Sequence, residues 1–537
     1  MDNSRRTLLA IVICVLIWIV YQTWIMPPPP LEEPGQERPQ QQQERDPEAG
    51  ERDDRGDEAI PTNLAGVAKG RLESELLALD VTNVGGVIAG ADLLSPQFLD
   101  AEGRGLGFLD LDGKPTLTVD FDGDRTDFKL PRNSVWEVLE PTGDTKVWNL
   151  RHVEPGVELT SSLTLLEDYE ARFIVKVKNT SDKPQEHRLV LRSRLGEGAE
   201  KSSYNVHRGL CASVEDFDDF DMGDVEEGAE RVRGSIRWLG LDTKYFLSAI
   251  IPAELGQVCE IKATEDQSAL IGNLYHKEIT LGPGETRSYE YGLYYGTKEL
   301  ERLRDHSVIG GVSLEDAIDW GWFGSLSSAL GKLMLRLLRW FYALTGIWGV
   351  AIILLTVVVK VVTLPLTFKQ MNSMKRMKEI QPQIEEMKKK YADDRTRQAQ
   401  EMQALFARSG VNPLAGCLPM LVQLPIWIAL YAMLATAVEL YHVPFLWLPD
   451  LTQQDPYYIT PLLIGGLMFL QTKLQPTPTA DNQQARMMMW MMPTIFTVMM
   501  LFLPSGLGVY IFANILLSLI QTVVQTRIGK PATAGGR

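Results

Sequence analysis

The sequence lacks the signatures of nucleotide-driven machines and of common hydrolases. It has no Walker A loop, HExxH metalloprotease motif or GxSxG nucleophile motif along its 537 residues. Histidine is scarce, with six residues scattered along the chain. These absences argue against an enzyme, and we expect no catalytic residue, no cofactor and no metal site.

Cysteine is equally scarce, with four residues and no CxxC spacing of the kind that zinc sites use. Cys14 and Cys417 lie inside apolar runs, where we expect small buried side chains. Cys211 and Cys259 fall in a region that we place outside the membrane, where a disulfide is chemically permitted. The sequence does not supply the geometry of a bridge, so this pairing stays open.

Basic residues are outnumbered, since 53 Lys and Arg face 69 Asp and Glu for a formal net charge of -16. This balance argues against direct binding of nucleic acid by the chain as a whole. The length exceeds one ordinary core and predicts at least two domains. A mean hydropathy of -0.07 resembles that of a soluble protein, but polar and apolar residues are segregated along the chain.

The N-terminal region begins with an apolar stretch, Leu8–Met26, that follows two arginines. Its length is close to the ~20 residues that cross a bilayer. No small-residue cleavage site precedes the prolines that follow, so we interpret residues 1–26 as a retained transmembrane anchor with a cytoplasmic N-terminus. Residues 27–65 are rich in Pro, Gln, Glu, Asp and Arg, which predicts a disordered periplasmic tether.

Residues 66–310 consist of short alternating runs separated by turn dipeptides such as Asp112-Gly113 and Pro283-Gly284. This pattern predicts a large periplasmic β-sandwich domain. Residues 311–345 then predict a linker and an amphipathic helix, with a basic polar face that favours a position in the membrane surface. The alternative is a helix packed on the β-domain. The predicted apolar face is Leu326, Ala329, Leu330, Leu333, Leu337 and Phe341, and the polar face is Ser325, Ser328, Lys332, Arg336 and Arg339.

The C-terminal region, residues 346–525, predicts a five-helix membrane core, followed by a short cytoplasmic tail, 526–537. With the anchor, this gives a polytopic α-helical membrane protein of six transmembrane helices. The loops that carry Lys and Arg alternate with loops that carry none, which predicts that both termini are cytoplasmic. The five apolar runs are Ile347–Pro365, Leu418–Val438, Tyr458–Leu474, Met488–Leu503 and Gly506–Val523.

A basic cytoplasmic loop, 368–411, has apolar residues at threes, fours and sevens, with Asp393-Asp394 permitting a turn between the two halves. We interpret this loop as an antiparallel helical hairpin. Its methionines favour a surface that adapts to varied partners, and a plain coiled-coil seam is the alternative.

Lys360 is the most informative residue, because it lies in an otherwise almost wholly apolar run. A lysine at the centre of a membrane helix costs about 2.5–3.5 kcal/mol, so it must snorkel, pair or face a wet cavity. It lies about 7–8 Å from Pro365 at ~1.5 Å per residue, so snorkelling to the surface is a serious alternative. The functional interpretation is a lone cation in a water-filled groove. Polar residues of other turns and spans could line the same groove, although each alone is more often a helix–helix hydrogen bond: Thr356, Gln423, Asn514 and Ser518.

The C-terminal half resembles the YidC family of membrane protein insertases, in the form typical of Gram-negative bacteria. The motifs that carry the resemblance are Asn412–Pro419, Gln423–Trp427, Ala429–Tyr431, Pro365–Thr367, Asp455–Tyr458, Met492-Pro493 and Leu503–Leu507. The resemblance implies a non-enzymatic insertase and chaperone of the cell inner membrane, acting alone or with the Sec translocon and without nucleotide hydrolysis. It places the groove cation on Lys360, and groove or client-binding positions on Thr356, Gln423 and Tyr510.

The resemblance also implies partners and a fold for the β-domain. The partners are nascent membrane proteins, the Sec translocon and membrane lipids, while the short tail leaves a ribosome contact open. The β-domain is expected to be similar to the β-supersandwich of sugar mutarotases, without a sugar activity. Two other functions remain open from the residues alone, a secondary transporter that uses Lys360 and a membrane-anchored carbohydrate enzyme.

Overall fold

The computed structural model describes residues 66–85, 88–99, 102–107, 109, 115–131, 134–139, 146–196, 207–226, 228–304, 311–320, 324–391, 394–409, 418–474 and 482–528. The predicted anchor 1–26 and tether 27–65 lie outside these residues. The chain divides into two compact units, of which one ends at Ile318 and the other continues from Asp319. We call them the β unit and the helical unit.

The β unit consists of antiparallel strands and a short helix, α1 (Leu300–Arg304). The strands are β1 (Lys69–Glu73), β2 (Leu77–Thr82), β3 (Ile88–Leu93), β4 (Leu106–Gly107), β5 (Leu117–Phe121), β6 (Glu137–Leu139), β7 (Val147–Glu154), β8 (Val157–Leu165), β9 (Glu170–Asn179), β10 (Gln185–His187), β11 (Leu189–Gly196), β12 (Arg208–Ser213), β13 (Phe217–Asp221), β14 (Glu230–Asp242), β15 (Phe246–Pro252), β16 (Gly256–Ala263), β17 (Ala269–Tyr275), β18 (Ile279–Leu281) and β19 (Thr286–Thr297).

Strand pairing in the β unit follows a chain of antiparallel neighbours. The meander β7–β8–β9 continues through β19 and β15 to β14. From β14 the pairing continues through β16, β17 and β11 to β5. Burial alternates strictly along β8, as expected for a strand with one face on the core. The predicted β-rich domain is therefore confirmed, while its likeness to a β-supersandwich stays a prediction.

A disulfide joins Cys211 on β12 to Cys259 on β16, with the two Cα atoms 5.9 Å apart. Both strands pair with β14, so the bridge connects two neighbours of one long strand. Both cysteines are fully buried. The structure thus contains the Cys211–Cys259 disulfide, which the sequence left open.

The helical unit contains α2 (Gly324–Thr345), α3 (Trp348–Glu379), α4 (Gln381–Lys390), α5 (Arg395–Arg408), α6 (Leu418–Thr436), α7 (Ile459–Leu474), α8 (Asn482–Met500) and α9 (Ser505–Ile528). Among the described residues, two helical stretches are long and apolar enough to cross a membrane, Trp348–Phe368 in α3 and Ser505–Val524 in α9. Shorter apolar stretches occur in α6, α7 and α8. The helical C-terminal region is therefore confirmed, and the number of spans remains a prediction.

The amphipathic helix α2 packs against α3 and α6 of the helical unit. Its buried side chains include Met334, Leu335 and Leu338, whereas Leu326 and Leu333 of the predicted apolar face are half exposed. The helix therefore carries two apolar stripes, one turned to its neighbours and one turned outward. Sequence periodicity detects the amphipathic pattern but does not tell which stripe meets the core.

Helix α3 continues through Pro365 as far as Glu379, beyond the end of the predicted apolar run. Proline cannot donate the usual backbone hydrogen bond, but membrane helices tolerate it where neighbouring groups satisfy the backbone. The hairpin that follows is formed by α4 and α5. Its contact is apolar, with Ile380 and Ile384 packed against Met402, Leu405 and Phe406.

Candidate functional site

The site begins with a polar stripe along α3. Thr356, Lys360 and Thr363 are separated by four and three residues, so they lie on one face of the helix. The hydroxyl Oγ1 of Thr356 donates to the carbonyl of Ile352 at 2.7 Å. The hydroxyl of Thr363 likewise donates to the carbonyl of Val359. Both threonines thus satisfy their donors within their own helix, as hydroxyls in apolar helices commonly do.

The Lys360 ammonium reaches across to α9 instead. Its Nζ donates to the side-chain oxygen Oδ1 of Asn514 at 3.2 Å and to the Oγ of Ser518 at 2.6 Å. These two acceptors are one turn apart on α9, so they present their oxygens on the same face. The structure therefore brings together Lys360, Asn514 and Ser518. The sequence left open whether the two α9 residues line a groove or form helix–helix hydrogen bonds, and whether they line a groove stays a prediction.

The charge of Lys360 meets no opposite charge in the part of the chain that the structure describes, where no carboxylate lies within 4.0 Å of its Nζ. Glu439, the nearest acidic candidate in the sequence, forms an ion pair with Arg339 of α2 at 2.6 Å. Lys360 is thus a partly buried cation held by neutral oxygens. Such a site attracts anionic groups, because a cation removed from water gains most from a negative partner.

The remaining predicted site residues differ in what the structure says of them. Tyr510 lies one turn before Asn514 on α9 and is fully buried, and its hydroxyl finds no hydrogen-bond partner among the described residues. Thr356 is also buried, one turn before Lys360. Gln423 belongs to α6, but its side chain lies outside the described part of the structure. Its place in the groove stays a prediction.

Two polar contacts of the helical unit were not predicted from the sequence. Thr363 was missed, although its spacing of three from Lys360 on a membrane helix was a usable signal. Arg339 was assigned to the outward polar face of the amphipathic helix, but its side chain is only 18% exposed and its guanidinium binds Glu439 through both Nε and Nη2. No sequence pattern links two residues a hundred positions apart, so this contact required the structure.

Asp455, which belongs to one of the recognised motifs, anchors the start of α7. Its carboxylate accepts hydrogen bonds from the backbone N–H of Thr460 at 2.6 Å and of Tyr457 at 3.0 Å, and from the indole of Trp447. Burial acts to raise the pKa of Asp455, but these hydrogen bonds outweigh it and lower the pKa below its ordinary value. The carboxylate therefore stays ionised and accepts hydrogen bonds at the start of α7.

The chemistry of the site is that of a cation and its neutral partners. Among the residues that the structure describes, no group of three or more His, Cys, Asp or Glu side chains is placed to hold a metal ion. What the arrangement can do is bind and orient a polar or anionic segment between apolar helices.

Comparisons with known proteins cover most of the chain. Residues 340–532 match the family model of the 60Kd inner membrane protein, and residues 70–333 match the model of the YidC periplasmic domain. The membrane protein insertase YidC of an Anaeromyxobacter species is 42% identical over 334 residues, 62% of this chain and 59% of the relative. This chain therefore spans about three fifths of that relative's length.

A second curated relative gives a longer alignment. The membrane protein insertase YidC of Marinobacter nauticus is 37% identical over 393 residues, 71% of this chain and 67% of the relative. A solved structure, described as an active YidC insertase with its first transmembrane domain resolved, covers 85% of this chain and 95% of its own, at 18% identity and a TM-score of 0.38. The two family models and the curated relatives agree, and the chain belongs to the YidC family of inner-membrane proteins with a periplasmic domain.

Proposed function

We propose that this chain inserts and helps to fold other membrane proteins in the inner membrane, as an insertase and chaperone rather than an enzyme. The names of the curated relatives support the general activity. The observation that carries the proposal is the Lys360 ammonium, which lies between two apolar helices and is held by neutral oxygens alone among the described residues. A cation so placed is costly for a mere structural support and useful for capturing an anionic segment.

In this mechanism a groove open to the cytoplasm receives the hydrophilic tail of a client. Lys360 attracts acidic side chains of the tail, with Thr356, Gln423 and Tyr510 as further contacts. The attraction between two unit charges 4 Å apart is about 4 kcal/mol at an effective dielectric constant of 20. This compares with the cost of a few kcal/mol for placing one charged side chain in the bilayer centre. One ion pair in the groove can therefore offset much of the barrier for one acidic residue.

No nucleotide is needed in this mechanism, because the client supplies the driving force. Its apolar helix leaves water for lipid, which stabilises the inserted state by roughly 25 cal/mol per Å² of apolar surface. The insertase only lowers the barrier for the polar tail that must cross.

We further propose the arrangement in the membrane that the sequence predicts. It has six transmembrane helices, cytoplasmic termini and a periplasmic β unit, with domain boundaries as given above. The outward apolar stripe of α2, with Leu326, Leu333 and Trp340 each at least half exposed, would lie against lipid. Arg336, on the exposed side of the same helix, would reach the headgroups. The proposed partners are nascent membrane proteins, lipids and the Sec translocon, and a ribosome contact is left open.

The test is insertion into liposomes by the purified full-length protein, with no nucleotide present. The client is a small single-span protein with an acidic tail, and a protease-protected fragment reports translocation of that tail. Lys360→Ala and Lys360→Glu should lower insertion, with the larger loss for glutamate because it repels the tail. Lys360→Arg keeps the charge and should retain most activity. Lys473→Ala removes an exposed lysine at the end of α7 and serves as the matched control.

The outcomes separate the levels of the proposal. Equal insertion by wild type, Lys360→Ala and Lys360→Glu would leave an insertase in which Lys360 only snorkels. Insertion no greater than that of empty liposomes, with this and other clients, would refute the proposed function and return attention to a transporter.

A further inference from the structure

The two partners of Lys360 on α9 are hydrogen-bond acceptors that lie one turn apart. Ser518 accepts from the ammonium and donates its own hydroxyl hydrogen to the backbone carbonyl of Asn514 at 2.7 Å. Because the Ser518 hydroxyl hydrogen is used within α9, the hydroxyl oxygen can only accept a hydrogen bond from Lys360. The Asn514 side chain accepts through Oδ1. Both groups are neutral, so they solvate the cation without neutralising its charge.

Helices α3 and α9 run in the same direction at this contact. A Cβ placed on Gly506, at the start of α9, would stand 3.8 Å from the Cδ1 of Ile352 on α3. Two turns further along α3, Lys360 meets Asn514 and Ser518. The threonines on the stripe of α3 donate to their own helix, whereas Lys360 donates to α9. The ammonium is therefore a polar link between the two helices.

We propose that Asn514 and Ser518 are specificity-determining residues, which hold the groove cation in a charged but uncompensated state that selects client segments bearing carboxylates. This inference rests on the proposed insertase function. An ammonium carries three N–H donors, of which α9 engages two, and no described residue accepts from the third. In this proposal the third N–H donates to a client carboxylate. A carboxylate adds the attraction of an opposite charge, which neither neutral acceptor supplies.

The same geometry predicts which substitution would abolish the selectivity for acidic clients. A carboxylate built into position 514 would have nearly the shape of asparagine and would pair with Lys360 permanently. The groove would then hold no net charge to attract an acidic tail. By contrast, removal of the Ser518 hydroxyl would loosen the ammonium without neutralising it. The two substitutions act oppositely on the cation, which distinguishes this role from simple packing.

The first arm of the test measures the cation directly and does not depend on insertion. Full-length protein in liposomes is treated with a small uncharged acylating reagent, and modification of Lys360 is quantified by peptide mass spectrometry. Acylation requires the neutral amine. Asn514→Asp should therefore protect Lys360, while Ser518→Ala and Asn514→Ala should raise its modification severalfold, and Ser518→Thr should restore the wild-type level. Thr522→Val is the matched control, since that hydroxyl donates to the Ser518 carbonyl within α9.

The second arm compares two clients that differ only in the tail, one with carboxylates and one with the corresponding amides. Asn514→Asp should lower insertion of the acidic client by at least about tenfold. The new carboxylate at position 514 would pair with Lys360, which then no longer attracts the carboxylates of the client. Insertion of the amide client should change much less. Equal loss for both clients would overturn the proposal, since it would mean damage to folding or packing. Unchanged modification of Lys360 in Asn514→Asp, Asn514→Ala and Ser518→Ala would also overturn it. If modification responds as expected but no variant, including wild type, inserts either client, then the proposed function fails and the selectivity proposal falls with it, leaving only the helix link.

Discussion

The buried disulfide of the β unit allows a stability effect to be worked out in advance. Cys211 and Cys259 are 48 residues apart in sequence and join two strands that flank β14. Closing a loop of that length in the unfolded chain is worth about 4 kcal/mol in the chain-entropy model. We therefore expect the double substitution Cys211→Ala, Cys259→Ala to destabilise the β unit by about 4 kcal/mol, with roughly 1 kcal/mol more from lost packing.

The assay is urea-dependent pulse proteolysis of the full-length protein in detergent, which follows the fraction of β unit that resists cleavage. Cys417→Ala, in the helical unit, is the matched control and should leave the urea midpoint of the β unit unchanged. A titration of thiols in the denatured wild type must first find two of the four cysteines oxidised. With the bridge so verified, a double variant within about 1 kcal/mol of wild type would refute the loop-entropy reasoning.

Two further predictions concern buried histidines and a close helix contact. Burial lowers the pKa of His187 and of His276 to about 4, below an ordinary value of about 6.5. The unfolded chain therefore binds more protons, and the β unit should lose about 3 kcal/mol per histidine as the pH falls from 6.5 to 4. Urea midpoints across this range check the slope, which His187→Gln should reduce and a flat profile would contradict. In α7, a Cβ on Gly465 would clash with the Oγ1 of Thr497 on α8, whereas one on Gly466 meets nothing within 4 Å among the described residues. Gly465→Ala should cost about 1–3 kcal/mol and Gly466→Ala should gain up to about 1 kcal/mol. Thermal unfolding in detergent compares the two, and similar melting temperatures would count against the contact.

The β-rich and helical parts of the chain could be predicted from the sequence because each has a local signal. Strands such as β8 alternate with a period of two, and α3 and α9 contain long apolar runs. The packing face of α2 could not be predicted in the same way. Both of its apolar stripes have helical spacing, and only the position of α3 and α6 decides which one is buried.

Lys360, Asn514 and Ser518 could be named as candidates from the sequence, but their hydrogen bonds could not be predicted. A lysine in an apolar run is conspicuous by its cost, and Asn514 and Ser518 were polar exceptions in another run. Asn514 and Ser518 both contact the Lys360 ammonium because of the way α3 packs along α9. This packing is a tertiary contact, and no local sequence pattern predicts it. The same holds for the pairing of Cys211 with Cys259, whose distance is set by their common neighbour β14.

Helix α3 has a mechanical consequence, because one continuous helix carries Lys360 and leads into the hairpin. At ~1.5 Å per residue, Glu379 stands roughly 28 Å along the axis from Lys360. The helix therefore connects the hairpin rigidly to Lys360. A partner that displaces the hairpin would also shift Lys360 relative to Asn514. Pro365 lies between the two ends, and a proline inside a helix is a common position for a kink. The stiffness of the helix at Pro365 would set how much of a displacement of the hairpin is transmitted to Lys360.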